Sequence, residues 1–142
     1  MIKNIIAYHH TSFENWKSIS KNGFDRNKFK KICLGYGVQA LLEETNYPIF
    51  ENNLEGQIKV KFDNCNYLNY YDDEDKKIIM KSVDKIISTE LYEKQVEVAK
   101  YEAKRLIKAG FDAYTYKYGK KDMIVFLNLP KSIKWIPYKM PQ

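Results

Sequence analysis

Cysteine and histidine are both scarce. Cys33 and Cys65 are the only cysteines in 142 residues, and their separation has no metal-like spacing. No disulfide framework is implied, and zinc chemistry would require more soft ligands than these. No run approaches the eighteen or more apolar residues of a membrane span. The N-terminus lacks the apolar core and small-residue cleavage site of a signal peptide, so the expected location is the cytoplasm. Delivery into a host or target cell by a separate system stays open. The acids Asp72, Asp73, Glu74 and Asp75 stand together without the spaced oxygen donors of a binding loop, so no metal is expected there. Strand-like and helix-like segments do not alternate regularly, which argues against a doubly wound sheet.

What remains is the composition of a single folded domain spanning 1–142, with 44% hydrophobic and 30% charged residues. Its net charge of +6 is unevenly spread. Residues 1–31 carry seven bases against two acids, residues 117–142 six lysines against one aspartate, and residues 43–93 twelve acids against six bases. Basic ends and an acidic middle can steer a phosphate, a nucleic acid or an acidic partner, although solvated surface explains such runs equally simply.

Both histidines lie in Tyr8-His9-His10-Thr11, after the apolar run Ile5-Ile6-Ala7. Residues 3–8 read as a buried strand. Thr11 and Glu14 have the spacing of a capping box, and Phe13, Trp16 and Ile19 recur as a core-facing helical stripe that Gly23 closes. The junction therefore sets two imidazoles beside the free N–H groups of a helix start. Gly35 and Gly37 permit a tight turn or close backbone approach, and residues 38–42 suggest a short helix before Pro48.

Residues 56–62 alternate as a half-buried strand that residues 67–70 extend after a bend. The four acids then open a helix with Ile79, Val83, Ile86 and Ile87 on its apolar face. A second helix follows with Val96, Ala99, Tyr101, Ala103 and Leu106, stopped by Gly110. Ala113-Tyr114, 122–126 and 133–136 read as strands, the first two joined by a basic turn at 117–121. Asp122 opens the strand Met123-Ile124-Val125-Phe126, and Asp112, after the Gly110 stop, reads as a turn residue and as the second candidate for a functional carboxylate.

In this order, Tyr8-His9-His10-Thr11, then Gly23-Phe24, then Gly35-Tyr36-Gly37-Val38-Gln39-Ala40, then Gly110-Phe111-Asp112-Ala113, then Asp122-Met123-Ile124-Val125-Phe126, the chain resembles the ADP-ribosyltransferase superfamily. The likeness is to its poly(ADP-ribose)-polymerase-like and diphtheria-toxin-like branch and spans nearly the whole sequence. It implies an α+β fold with a split, bent β-sheet and flanking helices, binding NAD as co-substrate. The implied activity is transfer of ADP-ribose to a macromolecular acceptor, a protein rather than a nucleic acid, by a small toxin or phage effector.

By the same resemblance His9 and Asp122 are the catalytic pair. His9, His10, Thr11, Gly35, Tyr36, Gly37 and Gln39 are the NAD-binding set. The departures are His10 for a glycine, Gln39 for the tyrosine that stacks on nicotinamide, and Asp122 for the usual glutamate. Tyr36 or Tyr47 could supply the missing ring. These departures leave a second reading open, a catalytically silent protein of the same fold that binds a protein or nucleic-acid partner.

Overall fold

The computed structural model describes residues 1–25, 30–32, 35–43 and 55–140, with backbone alone for 30–32 and 55. Cys33, Tyr47 and Pro48 lie outside the described residues. The elements in order are β1 (Ile2–Ser12), α1 (Phe13–Asn22), β2 (Lys30–Ile32), β3 (Gly35–Leu41), β4 (Glu55–Leu68), α2 (Asp73–Ile87), α3 (Tyr92–Lys108), β5 (Ala113–Tyr118), β6 (Lys121–Phe126) and β7 (Lys134–Lys139). The fold is α+β, a mixed sheet closed on itself and flanked by helices.

The closure is uneven. β1, β4 and β7 form one antiparallel half, with β1 paired to β4 over most of its length and β7 on the other edge of β4. β3, β6 and β5 form the second antiparallel half, with β2 added to β3. Among the described residues, Tyr8 opposite Leu41 is the one register pair between β1 and β3, and Tyr67 and Leu68, parallel to Ala113 and Tyr114, are the register pairs between β4 and β5. Two well-paired halves thus meet at two narrow seams.

Alternation along the strands assigns their faces. Ile5, Ala7, Val60 and Phe62 from the first half pack with Val38, Ala40, Ile124 and Phe126 from the second in one core. The opposite face of the second half carries Tyr114 and Val125, which pack beneath Ile79 and Val83 of α2 and Ala103 and Leu106 of α3. Each fully buried Ile, Leu or Phe contributes about 2 to 3 kcal/mol of transfer free energy. Both cores are therefore needed to offset chain entropy.

The helix ends follow local chemistry. The Asp72 side chain caps α2 by accepting from the Asp75 N–H at 2.9 Å, and the first-turn acids complement the helix dipole. Gly110, at φ 99°, ends α3 in a conformation that disfavours larger residues. A bulge at Asp63–Asn64 bends β4 opposite Asn4, whose side chain accepts from the Asn64 N–H at 3.0 Å. Asn64 takes a left-handed φ of 54°, which asparagine tolerates.

Several local expectations change. Residues 38–41 form a strand, not a helix, because pairing with β6 and the bridge to β1 outweigh the helix preference of Gln39, Ala40 and Leu41. Ser12, not Thr11, caps α1, accepting from the Asn15 N–H at 3.4 Å, while Thr11 is buried in β1. Pairing with β4 carries β1 on to Ser12, so His9 and His10 lie within the strand and not in a junction at the helix start. Phe13 is 48% exposed and Trp16 only half-buried, leaving Ile19 as the buried residue of α1. Tyr101 and Ile87 face solvent. The buried stripe of α3 includes Glu102 instead, paired with Arg105 of the same helix and with Ser82 and Lys85 of α2. Among the described residues, no helix is long and apolar enough to cross a membrane.

Candidate functional site

His9 alternates with Ile5 and Ala7 on the inner face of β1, opposite Ile58 of β4. Its Nδ1 lies 2.8 Å from the Gln39 carbonyl oxygen. A carbonyl can only accept, so Nδ1 carries the proton and the neutral ring keeps its lone pair on Nε2. The ring meets Phe24 edge-on at 5.7 Å, and Phe24 stacks on Trp135 at 5.7 Å. Burial lowers the His9 pKa below its ordinary value, the Gln39 hydrogen bond opposes that, and His10 adds a smaller lowering.

Asp122 alternates with Ile124 and Phe126, so it belongs to the same inner face, on the second half of the sheet. The register runs from the Tyr8–Leu41 bridge to Ala40 opposite Ile124, one side-chain repeat from Asp122. The exposed Tyr71 hydroxyl donates a hydrogen bond to Asp122 Oδ1. That bond is the main reason the Tyr71 pKa is raised, with desolvation and the Asp122 charge adding to it. Tyr71 meets Tyr70 edge-on, and Tyr70 packs on Tyr116 with Lys76 4.6 Å above its ring.

The other expected residues divide between faces. Thr11 shares the inner parity of His9, while His10, buried, points the opposite way beside Gln57. The Gln39 side chain lies 3.5 Å from Met123 Sδ, and Gln39 pairs with Val125 on the helix-covered face. Tyr36 packs on that helix-side core, with Lys100 of α3 5.3 Å from its ring centroid. Gln39 therefore reaches His9 through its main chain, and Tyr36 does not join His9 and Asp122.

Gly35 and Gly37 are buried in β3. A Cβ at Gly35 would lie 2.1 Å from the Tyr114 hydroxyl, and one at Gly37 2.2 Å from the Phe126 carbonyl oxygen. The protein's own atoms make both close approaches.

Asp112 is a structural clasp. Its Oδ2 accepts from the Asn66 N–H and its Oδ1 from the Asn128 amide, both at 3.0 Å. Its main-chain carbonyl accepts from Leu127 and Asn128, tying β4 to the segment after β6. Cys65 is fully buried, and burial, helped by the Asp112 charge, pushes its thiol up to about 12, which makes it inert. Among the described residues, no three His, Cys, Asp or Glu side chains gather to hold a metal ion.

Sequence reasoning missed Tyr71 as the partner of Asp122 and the Phe24–Trp135 pair beside His9. Neither has a local signal, since each joins residues more than 50 positions apart or crosses between elements. Comparison with protein-family models, curated proteins and solved structures returned no match.

Proposed function

We propose that this chain is an ADP-ribosyltransferase that uses NAD as co-substrate and modifies a macromolecular acceptor, in the manner of small toxins and phage effectors. One observation carries the reading. His9 and Asp122 share the inner face of a sheet divided into two halves, one residue on each half, in the order the motif resemblance requires. The split-sheet form of the fold is part of this proposal, whereas the sheet itself is closed by pairing at both seams.

The side chains on this face suit part of such a substrate. His9, with Nδ1 committed to Gln39, can accept a ribose hydroxyl proton at Nε2 and so orient the adenosine end. Asp122 can hydrogen-bond the second ribose and offset positive charge as the bond to nicotinamide breaks. Tyr71, hydrogen-bonded to Asp122, is the aromatic ring in contact with that carboxylate. Gln39 and Tyr36 have no such role in the proposal, because their side chains lie on the helix side.

That last feature favours the second reading, a catalytically silent protein of the same fold. Nicotinamide release from NAD, measured with and without cell lysate, separates the two. Lysate-dependent release supports transfer, and release without lysate indicates NAD hydrolysis. NAD binding without release supports the silent form, and absence of both defeats the NAD reading.

A further inference from the structure

The face of β1, β4 and β7 turned away from the core has a chemistry of its own. Alternation puts Ile6 and Tyr8 of β1, Lys59 and Lys61 of β4, and Lys134 of β7 together on it, and Tyr138, at the irregularity of β7, joins them through its contacts with Tyr8 and Lys59. Tyr8 is opposite Lys59, Ile6 opposite Lys61, and Lys61 opposite Lys134. The Tyr8 and Tyr138 rings are 5.3 Å apart at 55°, and the Lys59 and Lys139 ammonium groups are 5.4 and 5.8 Å from the Tyr138 ring centroid. Ile6 is 47% and Tyr138 37% exposed.

Helices α2 and α3 cover the other half of the sheet, and Phe24, just after α1, stacks on Trp135 of the opposite face. Among the described residues, no carboxylate pairs with Lys59, Lys61 or Lys134. Lys59, Lys61 and Lys134 and the rings of Tyr8 and Tyr138 thus share the outer surface of this closed sheet, half-buried at Tyr8, Lys59 and Lys61, on a chain of net charge +6.

We propose that this surface binds single-stranded nucleic acid. Charge complementarity calls for a polyanion, and the rings select among polyanions. Lys59 and Lys61 are about 7 Å apart along β4, two residues of strand rise, so they can meet successive phosphates of an extended strand. Tyr8 and Tyr138 offer π-faces on which unpaired bases stack. A duplex keeps its bases stacked inside and could not use the rings, while an acidic peptide could use the lysines alone. The inference does not depend on transferase activity, because none of its residues lies on the His9 and Asp122 face.

The test is fluorescence anisotropy of the whole chain with a labelled oligothymidylate of about 12 nucleotides, over roughly 50 to 200 mM salt. Three phosphate contacts predict a log–log salt slope of about −2, at about −0.7 per contact. The double variant Lys59→Gln/Lys61→Gln should bind at least tenfold more weakly, with the slope falling to about −0.7. Tyr138→Ser should lose about tenfold while keeping the parent slope. Circular dichroism checks each variant, and Lys61→Gln alone replaces the double variant if that one unfolds.

Absence of saturable binding at the lowest salt overturns the proposal, as do variants that bind like the parent. Equal displacement by polyglutamate of matched charge also overturns it and assigns the face to an acidic protein. Nicotinamide release is read separately, so failure of either proposal leaves the other standing.

Discussion

The His9 ring is anchored to the main chain of Gln39, with 2.8 Å between Nδ1 and the carbonyl oxygen, 30 positions apart in sequence. This bond crosses the seam where the Tyr8–Leu41 pair joins β1 to β3. A histidine so held presents the lone pair of Nε2 in a fixed direction.

The anchoring predicts a pH response. Burial lowers the folded-state pKa of His9, so the unfolded chain binds the proton more readily. The stabilising effect of the neutral ring is complete above about pH 6.5 and is lost as pH falls through the lower folded-state value. Urea midpoints should drop between about pH 7 and 5 in the parent and drop less in His9→Gln. Equal drops would remove His9 as the source.

Asp122→Asn nearly preserves shape while removing the negative charge. Under the transferase proposal it should slow nicotinamide release about a hundredfold, roughly 3 kcal/mol, with NAD affinity little changed. Asp112→Asn should act on stability instead, because its carboxylate holds the Asn66 N–H and the Asn128 amide. Near-normal turnover in Asp122→Asn would displace it from the reaction.

The buried Glu102 joins α3 to α2. It accepts from Ser82 Oγ at 2.9 Å and from Arg105 Nη2 at 3.1 Å, with Lys85 at 3.7 Å. Desolvation raises its pKa, but the hydrogen bonds from Arg105 and Ser82 and the charges of Arg105 and Lys85 outweigh it, so the net shift is downward. Glu102→Ala should cost about 1 to 3 kcal/mol in urea unfolding at neutral pH. The carboxylate's contribution is present above about pH 4.5 and lost as pH falls through the lower folded value, a more acidic window than that of His9. A neutral substitution would show that solvent replaces these partners.

Two glycines should respond differently to alanine. At Gly37 the new Cβ meets the Phe126 carbonyl oxygen at 2.2 Å, a backbone atom of the paired strand, so Gly37→Ala should cost about 3 kcal/mol or prevent folding. At Gly119 the space is open and only the φ of 61° resists, so Gly119→Ala should cost about 1 kcal/mol. Thermal melts of the two variants compare them directly, and similar melting temperatures would contradict the packing account.

Most elements were legible from the chain. The 3.6-residue spacing of Ile79, Val83 and Ile86, the Asp72 cluster and the Gly110 stop mark α2 and the end of α3. The alternation of residues 56–62 marks β4, and Asp122-Met123-Ile124-Val125-Phe126 marks β6. The strand β3 was not legible, because its glycines resemble a loop and its Gln39-Ala40-Leu41 end resembles a helix. Its state depends on hydrogen bonds from β6 and β1, which no local pattern encodes.

The candidate site divides along the same line. The sequence by itself determined that an apolar run leads up to His9 and that another follows Asp122, the pattern of buried strands. Only the tertiary structure decided that the two share a face, since that depends on how β1 registers with β4 and β3 with β6. It also decided that Gln39 turns its side chain to the helices while its carbonyl holds His9. A strand's two faces are interchangeable in sequence until packing assigns one to the core, and a one-residue shift in pairing would exchange them.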